Sequence, residues 1–446
     1  MLENIKLAYI GGGSKQWAWT LMSDLALCEE LSGEVRLYDI DKKSAEENAA
    51  VGNSLCEDWK YKAVSTLDEA MTGADFVIIS ILPGTFDEME SDVHAPEKYG
   101  IFQSVGDTTG PGGILRGLRS IPMLEKIALE IKKSCPDAWV INYTNPMAIC
   151  LAALYDAFPE IKAFGCCHEI FNTQTLLMDV LKEEKGIEAA DRSEIKVNPI
   201  GINHFTWLTE ARYEDIDLFP LYESFAKRHI EKGYIGTANS PWINTPFFSL
   251  EKVKMDLFLN YGYIAAAGDR HLAEFCPQSW YLDRCKDFGF TLTSVAWRKE
   301  DMKIKLEKRE AILSGKAAFD LKKSGEEGVA QIKALLGLSD LTTNVNLPNT
   351  GQIPNLPIGA IVETNALFSK DKVVPVQAGN VPDEILPLIS RSATNQLLIS
   401  KAGKARNLET AYLAFKNDIL VNLSPSESKA LFDEMIYATK AYLTEY

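Results

Sequence analysis

The sequence predicts an α/β protein, with an N-terminal, doubly wound parallel sheet followed by a C-terminal domain of mixed α and β structure. A strand-like segment near the start of the chain runs directly into three glycines, and further apolar runs alternate with helical segments as far as residue 166. Beyond residue 200 this alternation is lost. Strands that alternate with helices favour a mostly parallel sheet that is covered on both faces. We therefore divide the chain into residues 1–200 and residues 201–446.

The first unit of the chain has the pattern of a dinucleotide-binding strand, loop and helix of the Rossmann type. Residues 5–10 read as a strand, residues 17–27 as a helix, and residues 34–38 as a second strand that ends at an acid. Glycines let a backbone approach a pyrophosphate, a helix N-terminus offers it free N–H groups, and the acid accepts ribose hydroxyls. Gln16 stands where the third glycine of the usual motif would be. The residues predicted to bind the dinucleotide are Gly11, Gly12, Gly13, Ser14 and Asp39.

Later apolar runs extend the sheet, and the second half is less regular. Continuous apolar segments, which are typical of strands buried on both faces, cover residues 75–81, 138–142 and 163–166. Helical spacing runs from Leu115 to Ile131, and Pro122 either bends that helix or marks its start. In the second half the sequence predicts helices over residues 254–261, 305–315, 383–401 and 408–417, a surface loop over 322–328, a turn-rich stretch over 344–353 and a strand over 358–363.

The composition argues against several classes of partner. The chain has 446 residues, of which 46% are hydrophobic, enough for roughly two or three domains. The formal net charge of −16 argues against a nucleic-acid backbone or an anionic membrane surface. No apolar run reaches the length of a bilayer span, and the N-terminus lacks the pattern of a signal peptide. With eight cysteines that form no disulfide-like framework, these features predict a cytoplasmic protein.

Two stretches carry candidate metal ligands. Residues 164–170 contain Cys167 and His168, and residues 201–207 contain a second histidine, His204. We expect Cys167 and His204 to hold one divalent metal where the two halves of the chain meet. Ligand softness alone would suggest zinc for this pair. The competing interpretation is that both are ordinary core residues, since free cysteine is usually a small buried hydrophobe.

Four motifs taken together resemble those of glycoside hydrolase family 4, the NAD- and metal-dependent glycosidases. They are Ile10-Gly11-Gly12-Gly13-Ser14, residues 106–113, Asn142-Tyr143-Thr144-Asn145-Pro146, and Cys167-His168-Glu169 with Asn203-His204. The resemblance extends from residue 5 to beyond residue 420, with one departure at Ile419, where proline is usual. It implies that NAD is the dinucleotide, that Cys167 and His204 bind Mn²⁺ or another divalent metal, and that the partner is a small sugar or uronide.

The resemblance also implies a mechanism and a substrate class. In this family NAD⁺ takes a hydride from C3, the metal polarises the ketone, a base removes the C2 proton, and the C1 group leaves by elimination. Water then adds and the hydride returns, so no net oxidation occurs. The residue after the metal cysteine tracks the substrate, and His168 argues against a 6-phosphosugar. The string Cys167-His168-Glu169 looks most like the α-galacturonidase branch.

Several side chains receive roles from the same resemblance. Asp269 resembles the position of the C2 base, with Tyr263 in reserve, and His168 either assists the leaving oxygen as an acid or hydrogen-bonds the sugar. Asn145 is expected to contact sugar hydroxyls. A uronate carboxylate needs a cation, and arginine suits a carboxylate bidentately. The two candidates for this contact are Arg270 and Arg116.

Other functions stay open at this stage. Within the family the alternative is an α-glucosidase or α-galactosidase that acts on neutral sugars. Outside it, a malate/lactate-type dehydrogenase shares the nucleotide fold but needs neither a cysteine ligand nor a metal. A non-enzymatic NAD sensor is the third alternative. We expect a homodimer or homotetramer, although the sequence does not distinguish them.

Overall fold

A computed structural model describes residues 2–237 and 248–446 and confirms the α/β class, with a Rossmann-type parallel sheet in the first half and mixed structure in the second. No helix in these ranges combines the length and apolar character needed to cross a membrane. The strands of the described ranges, numbered in chain order, are β1 (Leu2–Ile10), β2 (Leu31–Tyr38), β3 (Trp59–Val64), β4 (Phe76–Ile79), β5 (Trp139–Asn142), β6 (Lys162–Gly165), β7 (Ile195–Ile202), β8 (Phe205–Tyr213), β9 (Ile216–Asp217), β10 (Ile264–Ala265), β11 (Leu341–Pro348), β12 (Ile361–Ser369) and β13 (Lys372–Pro375).

Helices cover the sheets and connect their strands. In the same ranges the α-helices are α1 (Trp17–Ala26), α2 (Lys42–Asn53), α3 (Leu67–Met71), α4 (Phe86–His94), α5 (Gly110–Ser134), α6 (Met147–Ala157), α7 (Glu169–Lys185), α8 (Phe219–His229), α9 (Lys252–Tyr261), α10 (Asp269–Glu274), α11 (Gln278–Tyr281), α12 (Val295–Leu313), α13 (Gly328–Leu335), α14 (Leu386–Lys404), α15 (Leu408–Asn417) and α16 (Pro425–Ala438). The helices that the sequence predicts are all present, although α12 begins ten residues before the predicted start.

The large sheet has the order β13-β12-β11-β6-β5-β4-β1-β2-β3. Strands β1 to β6 are all parallel. After β3 the chain crosses to the other side of β1 and adds β4, β5 and β6 there. Ligands of such folds bind at the point where the strand order changes in this way. Both faces are buried, because alternate residues of one strand enter different cores. Leu7 and Tyr9 belong to one apolar cluster, whereas Ala8 and Ile10 belong to another.

Strands from the second half of the chain complete the large sheet. β11 pairs antiparallel with β6, and β12 and β13 follow in antiparallel order. A separate antiparallel sheet has the order β10-β8-β7, with β9 beside β8. The boundary proposed between residues 200 and 201 falls within β7 and stays a prediction.

Two local expectations are wrong. Residues 344–348 were expected to form turns, but they belong to β11, because their asparagines find partners inside the protein. The Asn344 side chain donates to a Glu363 carboxylate oxygen at 2.8 Å and to the carbonyl of Cys167 at 3.2 Å. Pro122 does not mark the start of its helix, since α5 begins at Gly110. Proline cannot donate to the Leu118 carbonyl one turn earlier, and the Tyr446 hydroxyl binds that carbonyl at 2.8 Å instead.

A buried ion pair fixes α5 against α4. The guanidinium of Arg119 donates to both carboxylate oxygens of Asp92, and both side chains are 1% exposed. The stability of the fold depends on this pairing, because removing either residue would leave the other charge buried without a counter-charge. This contact orients the N-terminus of α5, which lies beside the candidate site.

We predict that Asp92→Ala lowers the free energy of unfolding by about 3–5 kcal/mol, because it leaves Arg119 buried and unpaired. The matched control is Asp433→Ala, because Asp433 pairs with Lys429, which is 51% exposed. This substitution should lower the free energy of unfolding by at most about 1 kcal/mol. Urea unfolding followed by tryptophan fluorescence measures both variants. Equal losses in the two would contradict a special role for the buried pair.

Candidate active site

Three side chains converge beside the carboxyl ends of the central strands. Asp107 precedes α5, His204 lies between β7 and β8, and His271 lies in the first turn of α10. One potential ligand atom of each lies within 4.8 Å of those of the other two. Two imidazoles and a carboxylate so arranged can hold a divalent cation.

The β7–β8 hairpin places His204. Ile202 pairs with Phe205, so only Asn203 and His204 form the turn. His204 has φ 64°, a left-handed conformation that is uncommon for a residue other than glycine. Such conformations cost on the order of 1–3 kcal/mol and concentrate at functional sites. In this position the imidazole is 5% exposed and its ring centroid lies 3.8 Å from that of His271.

A relay through Thr108 selects the ring nitrogen of His204 that is free for a ligand. The Thr108 hydroxyl donates to Asp107 Oδ1 at 2.8 Å and lies 2.8 Å from His204 Nδ1. A hydroxyl has one proton, so Thr108 accepts from Nδ1–H if it donates to Asp107. His204 is then the tautomer with its lone pair on Nε2, as a metal ligand requires.

The loop that carries Asp107 is held from behind by Glu274. One carboxylate oxygen of Glu274 accepts the backbone N–H groups of Val105 at 2.7 Å and Gly106 at 2.9 Å. Burial raises the pKa of Asp107, but the positive charges around it, that of Arg116 first, outweigh burial and hold it well below its ordinary value. Asp107 is therefore a carboxylate at neutral pH.

His271 has the properties of a neutral ligand. Burial and then the charge of His204 lower the pKa of His271 to about 3. Its Nδ1 is buried and has no hydrogen-bond partner within residues 2–237 and 248–446. Glu169 Oε1 lies 3.7 Å from its Nε2, while Glu169 Oε2 accepts the N–H of Gly268 at 2.6 Å. An unpaired buried nitrogen is costly, and coordination of a cation would satisfy it.

Cys167 lies beside this cluster but is not one of its three members. The charge of Glu169 affects the pKa of Cys167, His204 and His271, which places all of them around one carboxylate. Burial, with the charges of Glu363 and Glu169, raises the pKa of the Cys167 thiol well above its ordinary value. The predicted pair of Cys167 and His204 stays a prediction, with His204 inside the cluster and Cys167 at its edge.

His168 stands at the start of α7 and faces a carboxylate from a distant part of the chain. Its Nδ1 lies 3.2 Å from Glu326 Oε1. Partial burial lowers the pKa of His168, but the hydrogen bond and charge of Glu326 outweigh this and raise it to about 9. The imidazole lies 5.8 Å from the ring of Trp17, which stacks on Tyr143.

The candidate sugar-binding residues lie around the same cluster. Arg116 Nε donates to the Asn145 carbonyl at 3.0 Å, and its charge acts on Asp107. Asn145 Oδ1 is buried and unpartnered within the described ranges. Arg270 donates to Thr293 Oγ1, and Glu169, Asp107 and Glu274 act on its guanidinium. Both arginines and Asn145 are therefore near Asp107, as a shared binding site would require.

The two candidate bases lie in different surroundings. Asp269 Oδ1 accepts the N–H of Lys254 at 3.1 Å, and the Ser249 side chain also hydrogen-bonds this buried carboxylate. Burial and then the charge of Glu251 raise the pKa of Asp269. Tyr263 is half-buried against the apolar core, and the charge that acts on its phenol is that of Glu384, which belongs to none of the groups above.

The glycine loop connects β1 to α1 as the sequence predicts, and its role in binding the dinucleotide stays a prediction. The N–H groups of Gly11 and Gly12 donate to the Tyr38 carbonyl at 2.9 Å, and the N–H of Gly13 donates to Asp39 Oδ2 at 2.8 Å. Ser14 Oγ accepts the N–H of Trp17 at 3.2 Å, at the start of α1. The loop therefore joins the ends of β1 and β2 to a helix N-terminus.

Sequence reasoning did not assign Asp107, His271 or Glu326 to the site. Asp107 belongs to a glycine-rich motif that was singled out, and His271 lies two residues after Asp269. Because each lies close in the sequence to a predicted motif or site residue, the sequence offered a signal for both Asp107 and His271. Nothing in the sequence pointed to Glu326, since only the fold brings it to His168.

Comparison with known proteins identifies the family of the chain. The sequence-family model for family 4 glycosyl hydrolases matches residues 6–183. The sequence-family model for the family 4 glycosyl hydrolase C-terminal domain matches residues 199–421. The chain belongs to glycoside hydrolase family 4. The resemblance drawn from four short motifs is thereby confirmed, and the protein is a glycosidase of this family rather than a plain dehydrogenase.

Individual relatives cover nearly the whole chain. An α-galacturonidase of Thermoanaerobacterium saccharolyticum is 57% identical over 99% of this chain and 97% of its own. The crystal structure of the lplD protein of Bacillus subtilis, which is 49% identical, has a TM-score of 0.95 and covers 97% of this chain and 100% of its own. A 6-phospho-α-glucosidase from gut microorganisms, solved in complex with NAD and Mn²⁺, shares the fold with a TM-score of 0.82 at 20% identity, over 99% of both chains.

We predict that Thr108→Val weakens Mn²⁺ binding about 10- to 100-fold, because valine keeps the shape but not the hydroxyl that orients His204. The matched control is Thr109→Val, since the Thr109 hydroxyl contacts Asp418 and not His204. Titration of free Mn²⁺ by electron paramagnetic resonance measures the affinity without substrate. Wild-type affinity in Thr108→Val would show that the relay does not orient the ligand.

Proposed function

We propose that this family 4 glycosidase is an α-galacturonidase. The observation that carries the proposal is its 57% identity, over nearly the full length of both chains, to an enzyme of that name. The site is compatible with a carboxylate on the substrate, because the charges of Arg116, Arg270 and Arg298 all act on Asp107 or its immediate neighbours. Burying a uronate is costly unless such a cation pairs with it.

The proposal includes NAD and Mn²⁺, and the residues fit both. A Cβ on Gly12 would lie 2.6 Å from the Leu37 side chain, and one on Gly13 would lie 2.8 Å from Asp39 Oδ2, so only glycines let the loop lie against the end of β2. For the metal, His204, His271 and Asp107 form the donor set, with Cys167 at its edge. When bound, NAD⁺ accepts and returns a hydride at C3 of the sugar, and the metal polarises the C3 oxygen as a Lewis acid.

The protein's own side chains would remove the C2 proton, bind the sugar hydroxyls and contact the leaving oxygen. Asp269 is our candidate for the base that removes the C2 proton, since burial and then the charge of Glu251 raise the pKa of its carboxyl to about 7. Asn145 Oδ1, unpartnered in the described ranges, would accept a sugar hydroxyl. His168 would address the C1 oxygen that departs. Glu169 need not repel a uronate, because its carboxylate is engaged by Gly268 and lies beside His271.

We expect the purified protein with NAD⁺, Mn²⁺ and a thiol reductant to release p-nitrophenol from the α-galacturonide faster than from the α-glucoside or α-galactoside. In D₂O the product should carry deuterium at C2, because the abstracted proton exchanges with solvent. Mass spectrometry and NMR of the released sugar measure the label. A strong preference for a neutral glycoside would overturn the substrate, and turnover without NAD⁺ and without label would overturn the mechanism.

We predict that Arg270→Ala lowers kcat/KM on α-galacturonides about 10- to 100-fold, because a charge-assisted hydrogen bond contributes about 1.5–3 kcal/mol. Any weak activity on α-galactosides should hardly change. Arg284→Ala is the control, since Arg284 is 59% exposed and pairs with Asp287. Equal losses on both substrates would make Arg270 a general site residue instead of the uronate contact.

A further inference from the structure

We propose that Glu326 is a positioning residue that orients the imidazole of His168 toward the bound sugar. This inference rests on the proposed function for the role of His168 and extends it to a residue from a distant, exposed segment. Residues 322–325 are exposed, as the sequence predicts for a surface loop, but the chain turns inward at Glu326. Its side chain is 18% exposed and Oε1 lies 3.2 Å from His168 Nδ1.

The other nitrogen of His168 is free to address a ligand. The side chain is 41% exposed, and Nε2 makes no hydrogen bond within residues 2–237 and 248–446. A carboxylate 3.2 Å from one ring nitrogen restrains the orientation of the imidazole and leaves the other nitrogen to a ligand. Glu326 therefore directs Nε2 away from the segment that carries it. The charge of His168 acts on Glu169 and His204, so the imidazole lies near the metal cluster.

Glu326 is itself held on both sides. On its N-terminal side, the N–H of Ser324 donates to Asp24 Oδ1 of α1 at 2.8 Å. On its C-terminal side, Arg192 donates to Glu327 Oε1 at 2.9 Å and its guanidinium lies 3.6 Å from the ring centroid of Phe171 in α7. The segment thus connects the first helix of the nucleotide-binding unit to the helix that His168 begins.

Aromatic rings also lie near the imidazole. Trp17 lies 5.8 Å from the His168 ring and stacks on Tyr143 at 5.2 Å. Glu326 lines the same cavity as Trp17 and Tyr143. The imidazole therefore has both an aromatic ring and a carboxylate of this cavity as neighbours. A single orientation reduces the conformational entropy that the side chain would lose on contact with substrate.

The same contacts allow a purely structural role, in which Glu326 only fastens its segment. The neighbouring Glu327 provides the comparison, because it makes an ion pair of similar burial that does not involve His168. If Glu326 acts through His168, its removal should have no further effect once His168 is absent. If it only fastens the segment, its effect should be independent of His168 and shared by Glu327.

The experiment compares Glu326→Gln with Glu327→Gln, each alone and in a His168→Asn background. We expect Glu326→Gln to lower kcat on α-galacturonides about 10- to 100-fold with little change in KM, Glu327→Gln to stay near wild type, and Glu326→Gln to add nothing to His168→Asn. The loss should be larger for an alkyl aglycone than for p-nitrophenol if Nε2 addresses the departing oxygen. Independent losses in the double variant, or equal losses in Glu326→Gln and Glu327→Gln, would overturn the proposal.

A second measurement separates this inference from the proposed function. In the protein labelled with ¹⁵N-histidine, long-range ¹H–¹⁵N spectra report the chemical shifts of both ring nitrogens of each of the five histidines, and His168 is assigned by its loss in His168→Asn. Glu326→Gln should change the His168 pattern, and Glu327→Gln should not. This result requires no substrate, so it holds even if α-galacturonides prove inactive. An unchanged His168 pattern in Glu326→Gln would overturn the positioning role.

Discussion

The pairing of β11 with β6 is the contact on which the rest of the site depends. Asn346 pairs with Gly165 and so joins the last three strands of the large sheet to the parallel strands of the first half. Gly165 is required there, because a Cβ would lie 2.3 Å from Met147 Sδ. Two residues after this pairing comes Cys167, and the adjacent strand β12 places Glu363 behind it. The site is therefore shared by both halves, since the sheet beneath it is shared.

Local charge governs the site, although the whole chain is strongly acidic. Asp107 remains ionised in a buried environment because the charges of Arg116 and Arg298 act on it, and Glu169 remains ionised because the charge of His168 and the N–H of Gly268 stabilise it. Coulomb attraction between close, partly desolvated groups exceeds the screened field of distant surface carboxylates. The net charge of −16 thus bears on nucleic acid and membranes but not on an anionic sugar. A divalent cation among Asp107, His204 and His271 would complete the balance.

The sequence predicted those parts of the structure that are local in the chain. The glycine loop, the apolar strands and α15 follow from spacing and burial within a few residues. The start of β11 was missed, because asparagines that resemble turn residues are satisfied here by Glu363 and Cys167, which come from other strands. Likewise no local pattern shows that Glu326 meets His168, since 157 residues separate them in the chain. Contacts of this kind depend on tertiary pairing, which one sequence does not display.

The start of α10 shows why even a recognised motif leaves roles undecided. Successive residues of a helix point about 100° apart, since a turn contains 3.6 residues. Asp269 accordingly faces Lys254, Arg270 faces Thr293, and His271 faces His204. One short helix thus carries a candidate base, a candidate cation and a candidate ligand on three different faces. Because Gly268 binds Glu169, which also lies beside His271, any shift of this helix moves all three groups together relative to the sheet.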